Sequence, residues 1–114
     1  MITLYGISNC DTVRKARKWL ERRAVNSAFH DYKKAGITEE TLRAWSGEVG
    51  WDVLLNKRGT TFRKLGEADK ADITRDKAIV LMVQHPSLIK RPVLEYDAGL
   101  LVGFKEDVWK DELC

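Results

Sequence analysis

The opening thirty-two residues constrain the fold more than any other feature of the chain. Ile2-Thr3-Leu4-Tyr5 is short, alternating and rich in β-formers, and it stops at Gly6. After Ile7-Ser8-Asn9, the run from Cys10-Asp11-Thr12 to about Arg23 places Val13, Ala16 and Leu20 at i, i+3 and i+7, which is a helix. Ala28-Phe29-His30-Asp31-Tyr32 reads as a second strand. A strand, a helix of that length and another strand make a βαβ unit with parallel strands and a right-handed crossover.

The middle of the chain is helical. Thr38 is placed to cap a helix carrying Leu42, Trp45 and Val49 on one face and ending at Gly50. Trp51 to Leu55 and Gly59 to about Leu65 follow as short helices. Thr74 caps another, with Ala78, Leu81 and Met82 turned inward, which runs to Gln84 before Pro86. Then the period changes. Val93-Leu94-Glu95-Tyr96 and Leu100-Leu101-Val102-Gly103, joined by Asp97-Ala98-Gly99, read as a hairpin, and Glu106 to Leu113 as a closing helix. The order β-α-β, helices, β-β-α contains no repeat and no linker. One α/β domain over residues 1–114 is expected, with a helical insertion at about 36–85.

At 114 residues a chain can bury roughly two thirds of its surface without staples. No apolar run approaches the ~20 residues of a membrane span, and MITLYGISNC has no basic segment followed by a long apolar one, so neither a membrane nor a secretory signal is expected. The expected compartment is the cytoplasm, where a structural disulfide is not expected. The net charge is +3, and its one dense basic stretch, Arg14 to Arg23, reads as a solvated helix face. Nucleic acid is not an expected partner, because no basic stripe with interleaved aromatics is evident.

Cys10 and Cys114 do not form a CxxC pair, and with His30 and His85 they have no zinc-ligand spacing, so no metal and no bound cofactor are expected. Cys114 reads as an exposed thiol. To resolve a disulfide on Cys10 it would have to come within ~7 Å, Cα to Cα. His30 and His85 read as structural, and Trp19, Trp45, Trp51 and Trp109 as core. Cys10 sits at the first turn of a helix, where unpaired amides and the helix dipole favour a thiolate. Arg14 adds a cation one turn on, and Asp11 opposes it. A thiol of pKa ~8.5 is about 3% ionised at pH 7. Lowering a pKa by ~2 units raises that fraction roughly 25-fold, but each thiolate becomes about tenfold less nucleophilic. The larger benefit is to the leaving group, which favours disulfide exchange. Arg91-Pro92 stands immediately before an apolar strand, and local sequence alone favours a trans bond there.

Asn9-Cys10-Asp11-Thr12 with Arg14-Lys15-Ala16, and His85-Pro86-Ser87-Leu88-Ile89-Lys90-Arg91-Pro92, resemble the two signature segments of the arsenate reductase (ArsC)/Spx family. Leu101-Val102-Gly103-Phe104 with Glu106-Asp107 is similar to the Spx branch. Tyr5-Gly6, Leu54-Leu55-Asn56 and the run Gly59 to Leu65 look most like its YffB-like branch. The resemblance covers essentially the whole chain. It implies a thioredoxin-like, glutaredoxin-type fold: a four-stranded mixed sheet with a helical insertion between the two strand pairs. It also implies a cis Arg91-Pro92 bond, Cys10 as nucleophile, and Arg91 facing it to hold an oxyanion or a glutathione carboxylate. Asn9, Asp11, Thr12, Arg14, Asn56, Lys57, Arg58 and Pro92 are the expected substrate-binding residues.

The departures from the family pattern bear on activity. Gly6 stands near the position of a histidine in the glutathione-dependent arsenate reductases. Asn56 replaces an arginine after the paired leucines, and a third arginine is missing around Gly103-Phe104. Val13 occupies the second cysteine position of the Spx-type CxxC. The expected function is therefore a glutathione-dependent thiol–disulfide reductase. Its co-substrate is glutathione, its substrate a small thiol, an oxyanion or a protein disulfide, and an external thiol resolves the Cys10 adduct. The alternatives are arsenate reduction and a Spx-like regulator that binds RNA polymerase.

Overall fold

Strand β1 (Ile2–Gly6) pairs in parallel with β2 (Ser27–Asp31), with Leu4 opposite Phe29, and helix α1 (Asp11–Arg22) connects them. The computed structural model describes residues 2–114. On its other edge β1 runs antiparallel to β3 (Val93–Tyr96), which pairs with β4 (Gly99–Val102). The result is a four-stranded mixed sheet of order β2-β1-β3-β4. The described residues up to Asp31, together with Arg91–Cys114, form one compact unit, and Tyr32–Lys90 forms another.

In the first unit the alternation of β1 and β3 puts Leu4 and Leu94 on one face of the sheet. There they meet Ala16, Trp19 and Leu20 of α1 and Trp109 of α8 (Glu106–Leu113), all at most 7% exposed. Trp109 packs edge-on against Trp19, ring centroids 5.9 Å apart, and against Phe104 at 4.8 Å. Helix α1 ends where Ala24 adopts a left-handed conformation (φ 55°) and Val25 N–H donates to the Leu20 carbonyl.

The second unit contains α2 (Tyr32–Ala35), α3 (Glu39–Val49), α4 (Trp51–Leu54), α5 (Thr60–Arg63), α6 (Glu67–Lys70) and α7 (Arg75–Gln84), then a 3₁₀ turn at Pro86–Leu88. Thr38 and Thr74 cap α3 and α7 as their positions predict, their hydroxyls accepting from Thr41 N–H at 3.1 Å and Lys77 N–H at 3.3 Å. Thr38→Ala should lower the stability of the chain by about 1 kcal/mol in a urea titration.

Three boundaries differ from expectation. β2 covers Ser27–Asp31, one residue earlier than predicted, and Tyr32 opens α2 with its side chain fully buried. The hairpin turn is two residues, Asp97-Ala98, because Gly99 (φ 155°) already pairs with Tyr96. β4 therefore ends at Val102, and Gly103 (φ 81°) lies beyond it. Helix α6 has no buried residue and no apolar period to announce it.

Candidate active site

The site begins with a close approach between β1 and α1. A Cβ on Gly6 would stand 2.7 Å from Val13 Cγ2, and Val13 itself is fully buried. Only a glycine lets the first turn of α1 lie against the end of β1. The connecting loop is tied at both ends: Cys10 N–H donates to the Ile7 carbonyl at 3.1 Å, and Ser8 N–H reaches Asp31 Oδ2 at 3.4 Å. Cys10 is thereby held as N-cap of α1 in an extended conformation (φ −90°, ψ 127°), half-buried, its carbonyl accepting the first helical bond from Arg14 N–H.

Arg91 supplies the other side of the site. Its peptide bond to Pro92 is cis. The Pro92 carbonyl accepts from Gly103 N–H at 2.8 Å, and the Gly103 carbonyl in turn accepts from the Trp109 indole at 3.2 Å. The strand that carries Arg91 into the site is thus anchored to the segment after β4 and to the core of its own unit.

Several influences compete at the Cys10 sulfur. Burial is the largest single one and pushes the thiol up. The Val13 amide, the Arg91 side chain and the Thr12 amide pull it down, with a further attraction from the Arg91 charge, and together they win. The net pKa lies below that of an ordinary thiol. The sulfur does not make the tight capping bond that an oxygen at N-cap would make. Its amides act as dipoles aimed at a large, soft anion.

Two of the expected neighbours behave differently. Arg14 donates to Asp11 Oδ1 at 2.9 Å, and both side chains are more than half exposed. The pair neutralises itself, so Arg14 is not a cation for the sulfur as its spacing suggested; Arg91 is. Asn9 and Thr12 are exposed beside Cys10.

Asn56, Lys57 and Arg58 come together in the second unit. Leu55 bridges Ile89, Asn56 N–H donates to the Leu88 carbonyl at 2.7 Å, and Lys90 N–H donates to the Leu54 carbonyl at 2.8 Å. This register brings Lys90 to Lys57 and Arg58 in a cleft of about 380 Å³ that Asp52 and Asn56 also line. The Asn56 side chain is spent locally, since its Oδ1 accepts from Arg58 N–H at 3.1 Å. Lys90 is the member that sequence reasoning passed over. The signal for it lay in the same signature segment that holds Arg91.

Cys114 is an exposed thiol at the end of α8. Among the described residues, no group of three or more His, Cys, Asp and Glu side chains could hold a metal ion, and no helix is long and apolar enough to cross a membrane.

The sequence pattern of the ArsC family matches residues 5–111. The chain belongs to the ArsC family. A protein called YffB, of known structure, is 54% identical and superimposes over the whole of both chains with a TM-score of 0.97. An arsenate reductase (ArsC) related protein from Brucella melitensis is 49% identical over 96% of this chain and 92% of its own, with a TM-score of 0.77. The global transcriptional regulator Spx of Streptococcus pneumoniae (strain R6) is 32% identical over 94% of this chain and 81% of the regulator. The four-stranded mixed sheet and its helices are the thioredoxin-like fold of these ArsC-family neighbours. Membership and the arsenate reductase-like neighbours support thiol-based reduction as the chemistry of the family.

Proposed function

We propose that this ArsC-family protein is a glutathione-linked thiol–disulfide reductase with Cys10 as its nucleophile. One observation carries the reading: the Cys10 sulfur lies at the N-terminus of α1 beside the Val13 and Thr12 amides with the Arg91 side chain on it. The Cys10 thiolate attacks one sulfur of a disulfide, the S–S bond breaks, and the other sulfur leaves as a thiolate that takes a proton from water. The product is a mixed disulfide on Cys10. An external thiolate, glutathione in this reading, attacks the substrate sulfur of that mixed disulfide and returns Cys10 as the thiolate. It leaves a substrate–glutathione disulfide, which a second glutathione reduces while itself ending as oxidised glutathione. No second cysteine stands in the loop, because Val13 occupies that position. Arg91 offers a planar fork to a carboxylate of the incoming peptide. The free Cys10 and Cys114 thiols suit a reducing compartment, the cytoplasm.

Incubation of the reduced chain with oxidised glutathione, followed by mass spectrometry of its peptides, tests this. The expected result is one glutathione adduct on Cys10, removed by excess glutathione. Labelling of Cys114 alone would overturn the assignment.

Arsenate reduction is the competing reading, supported by the arsenate reductase-like neighbours. It is disfavoured by Gly6, by Asn56 and by the missing arginine near Gly103. Arsenate turnover in a coupled assay separates the two. Identity to Spx supports a third reading, regulation through a protein partner such as RNA polymerase. Capture of polymerase by wild type and Cys10→Ser alike would favour it over catalysis.

A further inference from the structure

The positive charge of this protein is concentrated on one helix. Residues 11–23 carry six Lys and Arg against Asp11 and Glu21, a surplus of +4 on a chain whose total is +3, so all the other residues together sum to −1. Helix α8, which packs through Trp109 on the same core, is acidic: Glu106, Asp107, Asp111 and Glu112 against Lys110. No ion pair joins the two helices among the described residues, and only three of the six α1 cations have partners within the fold. Arg14 is held by Asp11, Arg17 lies over the Phe29 ring at 4.3 Å, and Arg23 over Trp19 at 4.6 Å. Lys15, Lys18 and Arg22 remain exposed. They fall at i, i+3 and i+7 and so share one face, spanning about 10 Å along the axis. The stripe they form leads from the helix end that carries Cys10.

From this we infer that the Lys15-Lys18-Arg22 face of α1 docks an acidic polypeptide whose disulfide is thereby delivered to Cys10. The inference rests on the reductase reading and names its substrate as a protein or peptide disulfide with acidic neighbours. A small anion could engage only one or two of these side chains, since they are spread over two helical turns. Nucleic acid fits less well. A single strand would need free aromatic faces for its bases, while Phe29 and Trp19 are covered by Arg17 and Arg23, and a duplex is the outcome the test below separates. The exposed large hydrophobic residues, Val53, Val80, Val83 and Val108, are all aliphatic. Charge complementarity of this kind acts mainly on the association rate, by one to three orders of magnitude at low ionic strength. The chemistry at Cys10 is unchanged: the peptide S–S bond breaks as the Cys10-to-peptide S–S bond forms, and the second peptide sulfur leaves as a thiolate. A glutathione thiolate then attacks the peptide sulfur, freeing the Cys10 thiolate, and a second glutathione reduces the resulting peptide–glutathione disulfide, ending as oxidised glutathione.

The test uses the full chain, two peptides and a neutral reference. The peptides carry the same internal disulfide, one flanked by Asp and Glu, the other by Asn and Gln; 2-hydroxyethyl disulfide is the reference. At low salt the acidic peptide should react with Cys10 at least tenfold faster than its uncharged twin, and ~0.5 M salt should remove most of that preference. The triple variant Lys15→Glu, Lys18→Glu, Arg22→Glu should abolish it while reducing the neutral reference within twofold of wild type. The Gln triple variant should fall between. Equal rates for the two peptides, or a preference that survives the triple reversal, would overturn the docking face and leave the reductase reading standing. If even the neutral reference is not reduced, the reading of Cys10 falls. Fluorescence anisotropy of a disulfide-free acidic peptide then decides the stripe alone, and tighter retention of duplex DNA than of that peptide overturns it.

Discussion

Arg91→Ala should move the pH–rate profile of Cys10 alkylation by iodoacetamide upward and slow the reaction at neutral pH by no more than about two- to threefold, and Cys10→Ser should abolish both alkylation and disulfide exchange at this position. The thiolate, not the thiol, is the nucleophile, so the inflection of the pH–rate profile follows the pKa, while the rate at a fixed pH changes less because a more basic thiolate is also more nucleophilic. Burial pushes the Cys10 thiol up, and only the Val13 and Thr12 amides and Arg91 bring it back below its ordinary value. Removing the guanidinium takes away both a hydrogen bond and a charge and leaves burial in place, so the inflection of the pH–rate profile must move upward. Arg91→Lys keeps the charge without the fork and should give an intermediate profile. The same linkage has a sign in stability. A group whose folded pKa is depressed stabilises the fold above its unfolded pKa, and loses that contribution as pH falls through the folded pKa. The wild-type chain should therefore gain on Cys10→Ser as pH rises across that window, and Arg91→Ala should shrink the gain. Urea titrations at several pH values measure it. A pH profile for Arg91→Ala that overlays the wild type would remove Arg91 from the site.

How much of this was legible beforehand depends on whether the signal was local. Strand β1, helix α1, the Thr38 and Thr74 caps and helix α8 are each announced by periodicity or capping within a dozen residues, and the structure places them there. Tyr32 misled because a β-former also makes a good buried anchor for a short helix, and only the tertiary environment decides between them. Gly99 reads as a turn residue, yet it pairs across the hairpin with Tyr96. Helix α6 has no buried face, so no pattern could have revealed it. In the site, the position of Cys10 at a helix start was visible in the sequence. The approach of Arg91 was not, because it depends on strand pairing between residues ninety positions apart, and only resemblance to a family suggested it. Arg14 shows the opposite failure. Its spacing places a cation one turn beyond Cys10, yet the i, i+3 pair with Asp11 is the nearer partner. The cleft at Lys57, Arg58 and Lys90 is likewise a product of the Leu55–Ile89 bridge, which no local rule supplies.

Gly6→Ala is expected to destabilise the chain by about 1–3 kcal/mol and to blunt the reactivity of Cys10, although residue 6 does not touch the sulfur. The added methyl would meet Val13 Cγ2 at 2.7 Å and Cγ1 at 3.2 Å. Val13 is fully buried and β-branched, so it has few other rotamers to adopt. The relief must come from the first turn of α1 moving away from β1. That turn carries the Thr12 and Val13 amides that hold down the Cys10 pKa, so a packing defect becomes an electrostatic one. Pairing the change with Val13→Ala returns the space: the double variant should recover much of the Cys10 reactivity lost in Gly6→Ala, even though its stability stays below wild type for want of one buried methyl group, two being removed and one added. Denaturant unfolding and the pH–rate profile of alkylation, read together on the three variants, check this. A Gly6→Ala chain with wild-type stability and reactivity would show that the approach of β1 to α1 does not set the site. The same crowding bears on arsenate chemistry. A histidine placed at position 6, to imitate the glutathione-dependent arsenate reductases, would displace α1 further than alanine does, and should cost Cys10 reactivity and confer no arsenate turnover.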